Sequence, residues 1–308
     1  MKISTISTRG IAGLRDLDVD LMGGGRSAPH SLFLVTGPAA SGKTRLLEAV
    51  VATFEAVGPY EGIVRALDWV PDANAAGRIE LGLWLDGSDR GFVGGTTNIA
   101  VRFDSGRVVI EAASGVSKLL ARYDHEDATA KREYFPETRQ LWCDSPADGL
   151  GALQQSLLRG SKSPSKYSFV PRFLASLPDD PVRCERFAAA ITRLAPELEY
   201  LPSRREYCFS SRGGAPVPPA GLSSSEADAV LICATAAMIG LSHSLVLLDR
   251  PELYVPPERV VAWTQALETL GTNNQWLIAT SSPELLQSVP RAQIAWLDSS
   301  AREQGRSH

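Results

Sequence analysis

Hydrophobic and polar positions change rhythm several times along the chain, and each rhythm predicts a different element. Lys2–Thr8 and Leu14–Leu21 predict two strands, followed by a glycine turn at Gly23–Gly25. Ser31–Thr36 (SLFLVT) is a short continuous apolar run of the buried-strand kind. It leads through a glycine-rich loop into Lys43–Ala56, whose apolar residues recur with a helical period until Gly58-Pro59. From 62 to 112, IVRALDWV, GRIELGLWLDG, NIAVRFDSG and RVVIEAA alternate between breaks of Gly, Asp and Asn. That predicts an antiparallel meander with Trp69, Trp84 and Phe103 filling its core. Residues 116–200 read as mainly helical, with Pro and Gly interruptions. Leu198–Phe209 predicts another strand region and Ser211–Gly221 a Gly/Pro linker. A helix follows at Ser225–Ile239, then a four-residue apolar strand, Leu245–Leu248, ending in Asp249. Glu258–Leu270 predicts a helix, Trp276–Thr280 a strand, Pro283–Ser288 a short helix and Gln293–Leu297 a last strand. The tail from Ser299 is polar and expected to fray. There is no internal repeat and no heptad run long enough for a coiled coil.

Composition narrows the classes. The 308 residues are 44% hydrophobic and 21% charged, enough apolar material for one large domain or two smaller ones. The formal charge of −4 argues against a surface built wholly for nucleic acid, which is normally basic. A local basic groove stays open: Arg159–Arg172 carries Arg159, Lys162, Lys166 and Arg172 and no acid, and predicts a mobile loop able to touch a polyanion. No apolar run approaches the roughly 20 residues of a membrane span, and the N-terminus lacks the apolar core of a secretory signal. Cys143, Cys184, Cys208 and Cys233 sit far apart and make no ligand cluster with His30, His125, His243 or His308. Reduced thiols, a cytoplasmic location and no zinc site are the expectation.

The chemistry is concentrated in Gly37-Pro38-Ala39-Ala40-Ser41-Gly42-Lys43-Thr44, which fits G-x-x-x-x-G-K-[ST] between a predicted strand and a predicted helix. Phosphate oxygens need several backbone N–H donors converging on one point, and glycine lets the main chain come close. In this arrangement Lys43 reaches the β- and γ-phosphates and Thr44 offers its hydroxyl to Mg2+. The apolar strand ending in Asp249 supplies the carboxylate that phosphate-loop proteins place on the water shell of that metal. Asp249 lies 206 residues after Lys43, so much of the chain is inserted between the two halves of the site.

Four stretches, in order, resemble an ABC-type ATPase head of the SMC/RecF/OLD-like branch, often grouped with AAA-type ATP-binding domains. They are the opening strand pair with GPAASGKTRLLEAV, then LSSSEADAVLICATA, LVLLDRPELYVPP and LIATSSPELL. The resemblance implies a three-layer α/β P-loop NTPase sandwich with an antiparallel β subdomain and a helical insert. It implies one domain over 1–300: a nucleotide-binding core at 1–60 and 198–298, the β subdomain at 61–115, the helical insert at 116–197, and a flexible tail at 301–308. ATP and Mg2+ are the implied cofactors, with Arg45 extending the phosphate loop. The family's signature loop caps an ATP bound to the opposite subunit; here it is Leu222–Glu226, with Ser223 and Ser225 facing the phosphate in trans. Ser223-x-x-Glu226 is equally a capping box, and both roles can hold together. Ser225, where the family tends to have Gly, hinders close approach.

Two departures bear on chemistry. The family's Asp-Glu-Pro-Glu-Leu is here Asp249-Arg250-Pro251-Glu252-Leu253, so a cation that cannot accept a proton stands where the water-polarising Glu is expected. The family's His after the next strand is here Ser281. Hydrolysis is therefore expected to be slow or absent. Glu252 is the substitute base open to proposal, and Arg250 either attracts the γ-phosphate or pairs with Glu252 or another acid. Gln140, in the stretch resembling the family's Q-loop region, faces magnesium or merely ends a turn. Arg204 and Arg205 serve phosphate or nucleic acid, or sit on a solvated strand edge. The reading is an ATP–Mg2+-binding assembly or switch subunit, partnered by a second copy, a higher oligomer or another protein subunit. Nucleic acid is possible but not favoured, and a membrane is not expected. The alternatives are an active ATPase in DNA repair or anti-phage defence, or the degenerate half of a heterodimeric ATPase.

Overall fold

Strand register sorts the chain into two large sheets. The computed structural model describes residues 1–22, 27–58, 64–94, 97–122, 131–141, 158–202, 208–211 and 213–297. Along them come β1 (Lys2–Arg9), β2 (Leu17–Asp20), β3 (Leu32–Thr36), α1 (Lys43–Val57), β4 (Gly77–Trp84), α2 (Gly87–Val93), β5 (Asn98–Asp104) and β6 (Arg107–Glu111). Then follow α3 (Ser114–Arg122), β7 (Arg132–Phe135), α4 (Val170–Ser176), α5 (Pro181–Leu194), β8 (Leu198–Tyr200), β9 (Phe209–Ser211) and α6 (Ser224–Ile239). The chain closes with β10 (Leu245–Asp249), α7 (Pro257–Glu268), β11 (Gln275–Ala279), α8 (Pro283–Ser288) and β12 (Ile294–Trp296). One sheet runs β2-β1-β4-β5-β6 and is antiparallel; the other runs β12-β3-β11-β10-β7 and is parallel throughout.

A parallel sheet covered on both faces needs strands that are apolar at successive positions. β3, β10 and β11 are buried along their whole length, and their side chains divide by parity. Phe33, Val35, Leu245, Leu247, Leu277 and Ala279 pack on the α1 side. Leu34, Val246, Leu248, Trp276 and Ile278 pack against the helical layer that contains Phe173, Phe187, Val230 and Trp263. Helix α1 lies between the two sheets. Leu46, Leu47, Val50 and Phe54 share one core with both, while Ala49 and Ala52, lacking bulk, let it approach Ile79, Val101 and Phe103 of the antiparallel sheet. The two sheets are also stitched directly. At the register shift of β1, the buried Gln275 side chain accepts from Ile3 N (2.7 Å) and donates to Ile3 O (2.9 Å), standing in for a missing strand neighbour.

Several local expectations change. The antiparallel sheet extends beyond 61–115, because β1 and β2 belong to it and β1 pairs with β4 over most of its length. Of IVRALDWV, the described part forms a 3-10 turn at Ala66–Asp68 instead of a strand; Ala66, Trp69 and Val70 turn inward and Leu67 faces solvent. A helix not foreseen from the sequence, α2, starts where the Asp86 side chain accepts from Asp89 N. Within the stretch read as mainly helical, β7 is a strand on the edge of the parallel sheet, beside β10. Arg159–Arg172 is partly built into the fold, with a 3-10 turn at Pro164–Tyr167 and the start of α4: Arg159 and Lys166 are buried, Lys166 pairs with Glu133 and donates to the carbonyls of Tyr134 and Arg159, and Lys162 and Arg172 stay exposed. Gly23–Gly25, His125, Cys143, Arg204, Arg205 and the tail from Ser299 lie outside the described residues.

Candidate functional site

The phosphate loop occupies the connection from β3 to α1, as the sequence requires, and its backbone carries three unusual torsions. Gly37 has φ +150°, Gly42 φ +96°, and Ala40 sits in the left-handed region at φ +61°. A Cβ on Gly37 would lie 2.1 Å from the Leu297 carbonyl oxygen, and one on Gly42 2.7 Å from that of Gly13. Glycine is needed at both places because neighbouring backbone occupies the side-chain volume. A non-glycine residue held at positive φ costs about 1–3 kcal/mol, a cost that Ala40 adds to the loop. The Lys43 ammonium donates to Gly37 O (2.7 Å) and Pro38 O (2.8 Å). Burial, then the nearby Arg250 guanidinium, lowers its pKa from the ordinary lysine value.

The loop opens on a cleft of about 640 Å³ lined by residues 37–45 together with Glu48, Glu137, Arg250 and Ser281. Arg45 and Glu48 border it from α1. The Arg45 guanidinium lies 3.8 Å from the centre of the Trp69 ring and bonds Ala12 O, so it ties α1 to the antiparallel sheet. Asp249, at the end of β10, is fully buried, and neither carboxylate oxygen has a hydrogen-bond partner among the described residues. Its pKa is pushed up from 3.8 to about 6, chiefly by burial, with the Thr44 hydroxyl pulling it down and Glu137 pushing it up. A buried acceptor pair beside a loop hydroxyl is the donor set expected for a hydrated Mg2+, so these residues fit the metal. Among the described residues no cluster of three His, Cys, Asp or Glu offers another cation site.

The raised carboxyl carries a sign. The folded chain holds that proton more tightly than the unfolded chain, so this contribution to stability is full below pH 3.8 and is lost as pH rises through about 6. In EDTA, the melting temperature of Asp249→Asn relative to wild type should therefore rise between pH 4 and pH 7. A difference that stays flat across those melts would contradict the assignment.

The remaining site residues are distributed unevenly. Arg250 follows Asp249 in the left-handed region (φ +49°) and lines the cleft, where it meets Glu137 at 3.3 Å rather than Glu252. Glu252 accepts from the Thr280 hydroxyl (2.9 Å) and from Ser281 N (2.8 Å), so both of its oxygens are bonded to the segment after β11. Ser281 is exposed and reaches the cleft. Gln140 is exposed and does not line it; Glu137, three residues earlier, does. Ser223 caps α6 in a complete capping box with Glu226. With Ser225 it borders a separate groove against α7, away from the phosphate loop of its own chain.

Sequence reading passed over the residues that join these parts. Arg139 is fully buried. Its Nε donates to Asp228 on α6 (2.6 Å) and its Nη1 to the carbonyls of Pro136 (2.8 Å) and Asp249 (2.7 Å). The Tyr254 ring packs on the guanidinium, and its hydroxyl donates to Glu137 O (2.8 Å) and Arg139 O (2.9 Å). The aromatic pair before Pro136 was the available signal for a strand whose end enters the site.

No protein-family model and no curated protein matches the chain. Solved structures do match it. A crystal structure of the SMC head bound to the C-winged helix domain of ScpA is similar at a TM-score of 0.58 and 14% identity, covering 96% of each chain. The SMC head domain from Thermotoga maritima is similar at 0.51 and 12%, covering 96% of this chain and 94% of that one. An Smc head domain with an extended coiled coil, bound to the C-terminal domain of ScpA derived from Pyrococcus furiosus, is similar at 0.53 and 12%, covering 94% and 92%. The chain therefore has the fold of these heads, a P-loop NTPase sandwich of the ABC-ATPase-like kind.

Proposed function

We propose that this chain is an ATP–Mg2+-binding head acting as a nucleotide-dependent assembly or switch subunit, with slow or no hydrolysis. The observation that carries it is the approach of the Thr44 hydroxyl, at the end of the glycine-dependent loop 37–44, to the buried Asp249 carboxylate. Loop amides and Lys43 would hold the phosphates, and Thr44 and Asp249 would hold the metal. Bound Mg2+ supplies charge neutralisation on the β- and γ-phosphate oxygens.

The carboxylates in reach are poorly placed to activate water. Glu252 is bonded through both oxygens, and Glu137 faces the Arg250 cation. A positioned base contributes about 10²–10⁴-fold in rate, and among the described residues no uncommitted carboxylate lines the cleft. Arg250 instead adds positive charge to the cleft and favours a bound triphosphate. Ser223 and Ser225 would meet the nucleotide of an opposing head, so ATP stabilises the assembled state by mass action.

A second reading replaces the opposing copy with a different protein subunit. It is favoured by the two similar SMC heads that are bound to ScpA domains.

Calorimetric titration of ATP with Mg2+, combined with sedimentation, tests the proposal. Expected are heat of binding, an increase in mass with nucleotide, and turnover far below the 1–10³ s⁻¹ typical of enzymes. No heat in any oligomeric form would end the nucleotide reading. Turnover near 1 s⁻¹ would end the impaired-site part, and DNA binding that weakens steeply with salt would favour a DNA-engaging ATPase.

A further inference from the structure

Three buried polar atoms at the end of the parallel sheet have no hydrogen-bond partner among the described residues: Tyr134 Oη and both carboxylate oxygens of Asp249. One is a donor, and the other two are acceptors. Their positions follow from register. β7 and β10 are parallel neighbours with Tyr134 opposite Leu247. Side chains alternate along a strand, so Leu247 and Asp249 share a face, and Tyr134, Leu245 and Leu247 all belong to the core on the α1 side. Asp249 is thus the diagonal neighbour of Tyr134, a separation that a long aromatic side chain spans. The phenol faces the carboxylate without completing a full hydrogen bond. The Thr44 hydroxyl also approaches this carboxylate. Tyr134 is 2% exposed, so water does not readily take the missing place.

We propose that Tyr134 is a positioning residue of the metal site: when Mg2+ enters, its hydroxyl donates to one oxygen of Asp249 and turns the other toward the metal-bound water beside Thr44. This rests on the ATP–Mg2+ reading and adds a residue to it. The chemical case is economy of buried polar groups. A buried hydroxyl left unpaired costs about 1–3 kcal/mol, and a bound ion is one of the few explanations for such a group in a folded protein. The outer partners of a metal-binding carboxylate typically change metal affinity by about 10–100-fold. The ring of Tyr134 also borders a second cavity of about 280 Å³ along α1, with Glu48, Glu55 and Lys162. A hydroxyl that served only that cavity would leave the metal untouched.

The test uses the full chain and the variant Tyr134→Phe. Nothing described donates to or accepts from the hydroxyl, so the variant should fold and melt within about 2 °C of wild type without metal. Mn2+ binding in the presence of ATP, followed by electron paramagnetic resonance, should weaken about tenfold. ATP binding in EDTA should change less than twofold. In an Asp249→Asn background the Tyr134→Phe effect on Mn2+ should vanish, which separates positioning from general loss of packing. Unchanged Mn2+ affinity overturns the proposal, as does an equal loss in the Asp249→Asn background. If wild type binds no ATP either with Mg2+ or in EDTA, the nucleotide reading falls and this proposal falls with it. If wild type binds ATP and Mn2+ but Tyr134→Phe behaves identically, only this proposal falls.

Discussion

Lys43→Ala should weaken ATP binding about 100-fold while leaving the melting temperature nearly unchanged. Hydrogen bonds to charged groups contribute about 1.5–3 kcal/mol each, and tenfold in affinity is about 1.4 kcal/mol. The ammonium is the one cation that residues 37–44 supply, and it donates to Gly37 O and Pro38 O, 2.7 and 2.8 Å away. Phosphate oxygens would take over from those carbonyls. Stability should barely respond, because Pro38 is exposed and water can replace the ammonium at its carbonyl. Lys43→Arg should not rescue binding, since a planar guanidinium does not fit where a point charge on a flexible stem is needed. Calorimetric titrations and thermal melts of the three proteins, run side by side, check this. A variant that binds as wild type does, or that unfolds, would show that Lys43 serves the loop rather than a ligand.

Arg139→Met should lower stability by about 3–5 kcal/mol, the range for breaking one side of a buried ion pair. That is a large share of the ~5–15 kcal/mol of a typical domain. The Arg139 and Asp228 side chains are 0% and 1% exposed, so the variant leaves a carboxylate in the core without its cation. It also strips the donor from the carbonyls of Pro136 and Asp249. The double variant Arg139→Met with Asp228→Leu should recover part of the loss, because an apolar pair does not carry an unpaired buried charge. The two carbonyls stay unsatisfied, so recovery is incomplete. Urea titrations of both single variants and the double give the coupling. Strictly additive losses would mean that Arg139 and Asp228 act separately, and that the link between α6 and the end of β10 is not an ion pair in energetic terms.

What the sequence reveals of the site is its local part. The spacing from Gly37 to Thr44, the apolar run before it and the periodic helix after it are contiguous, and contiguous residues constrain one another through backbone geometry alone. Asp249 was legible because an apolar strand that ends in a carboxylate is itself local. The identity of Arg250 and Ser281 followed from order along the chain, but their partners did not. Arg250 meets Glu137, 113 residues earlier, and Glu252 turns to Thr280 and Ser281. Lys166 read as part of a mobile basic loop because its acid, Glu133, lies 33 residues earlier on a strand of only four residues.

By itself, then, the sequence determined the loop, the helix behind it, the strands with continuous or alternating apolar positions, and the absence of a base at position 250. Tertiary structure decided the rest. It made Glu137 rather than Gln140 a wall of the cleft, paired β1 with β2 and β4 in the antiparallel sheet, and tied that strand to the parallel sheet through Gln275. It also set Tyr134, Thr44 and Asp249 around one point and buried Arg139 between α6 and the end of β10. The physical reason is that a hydrogen bond or ion pair depends on distance and burial, and sheet register brings together residues whose separation along the chain says nothing about either.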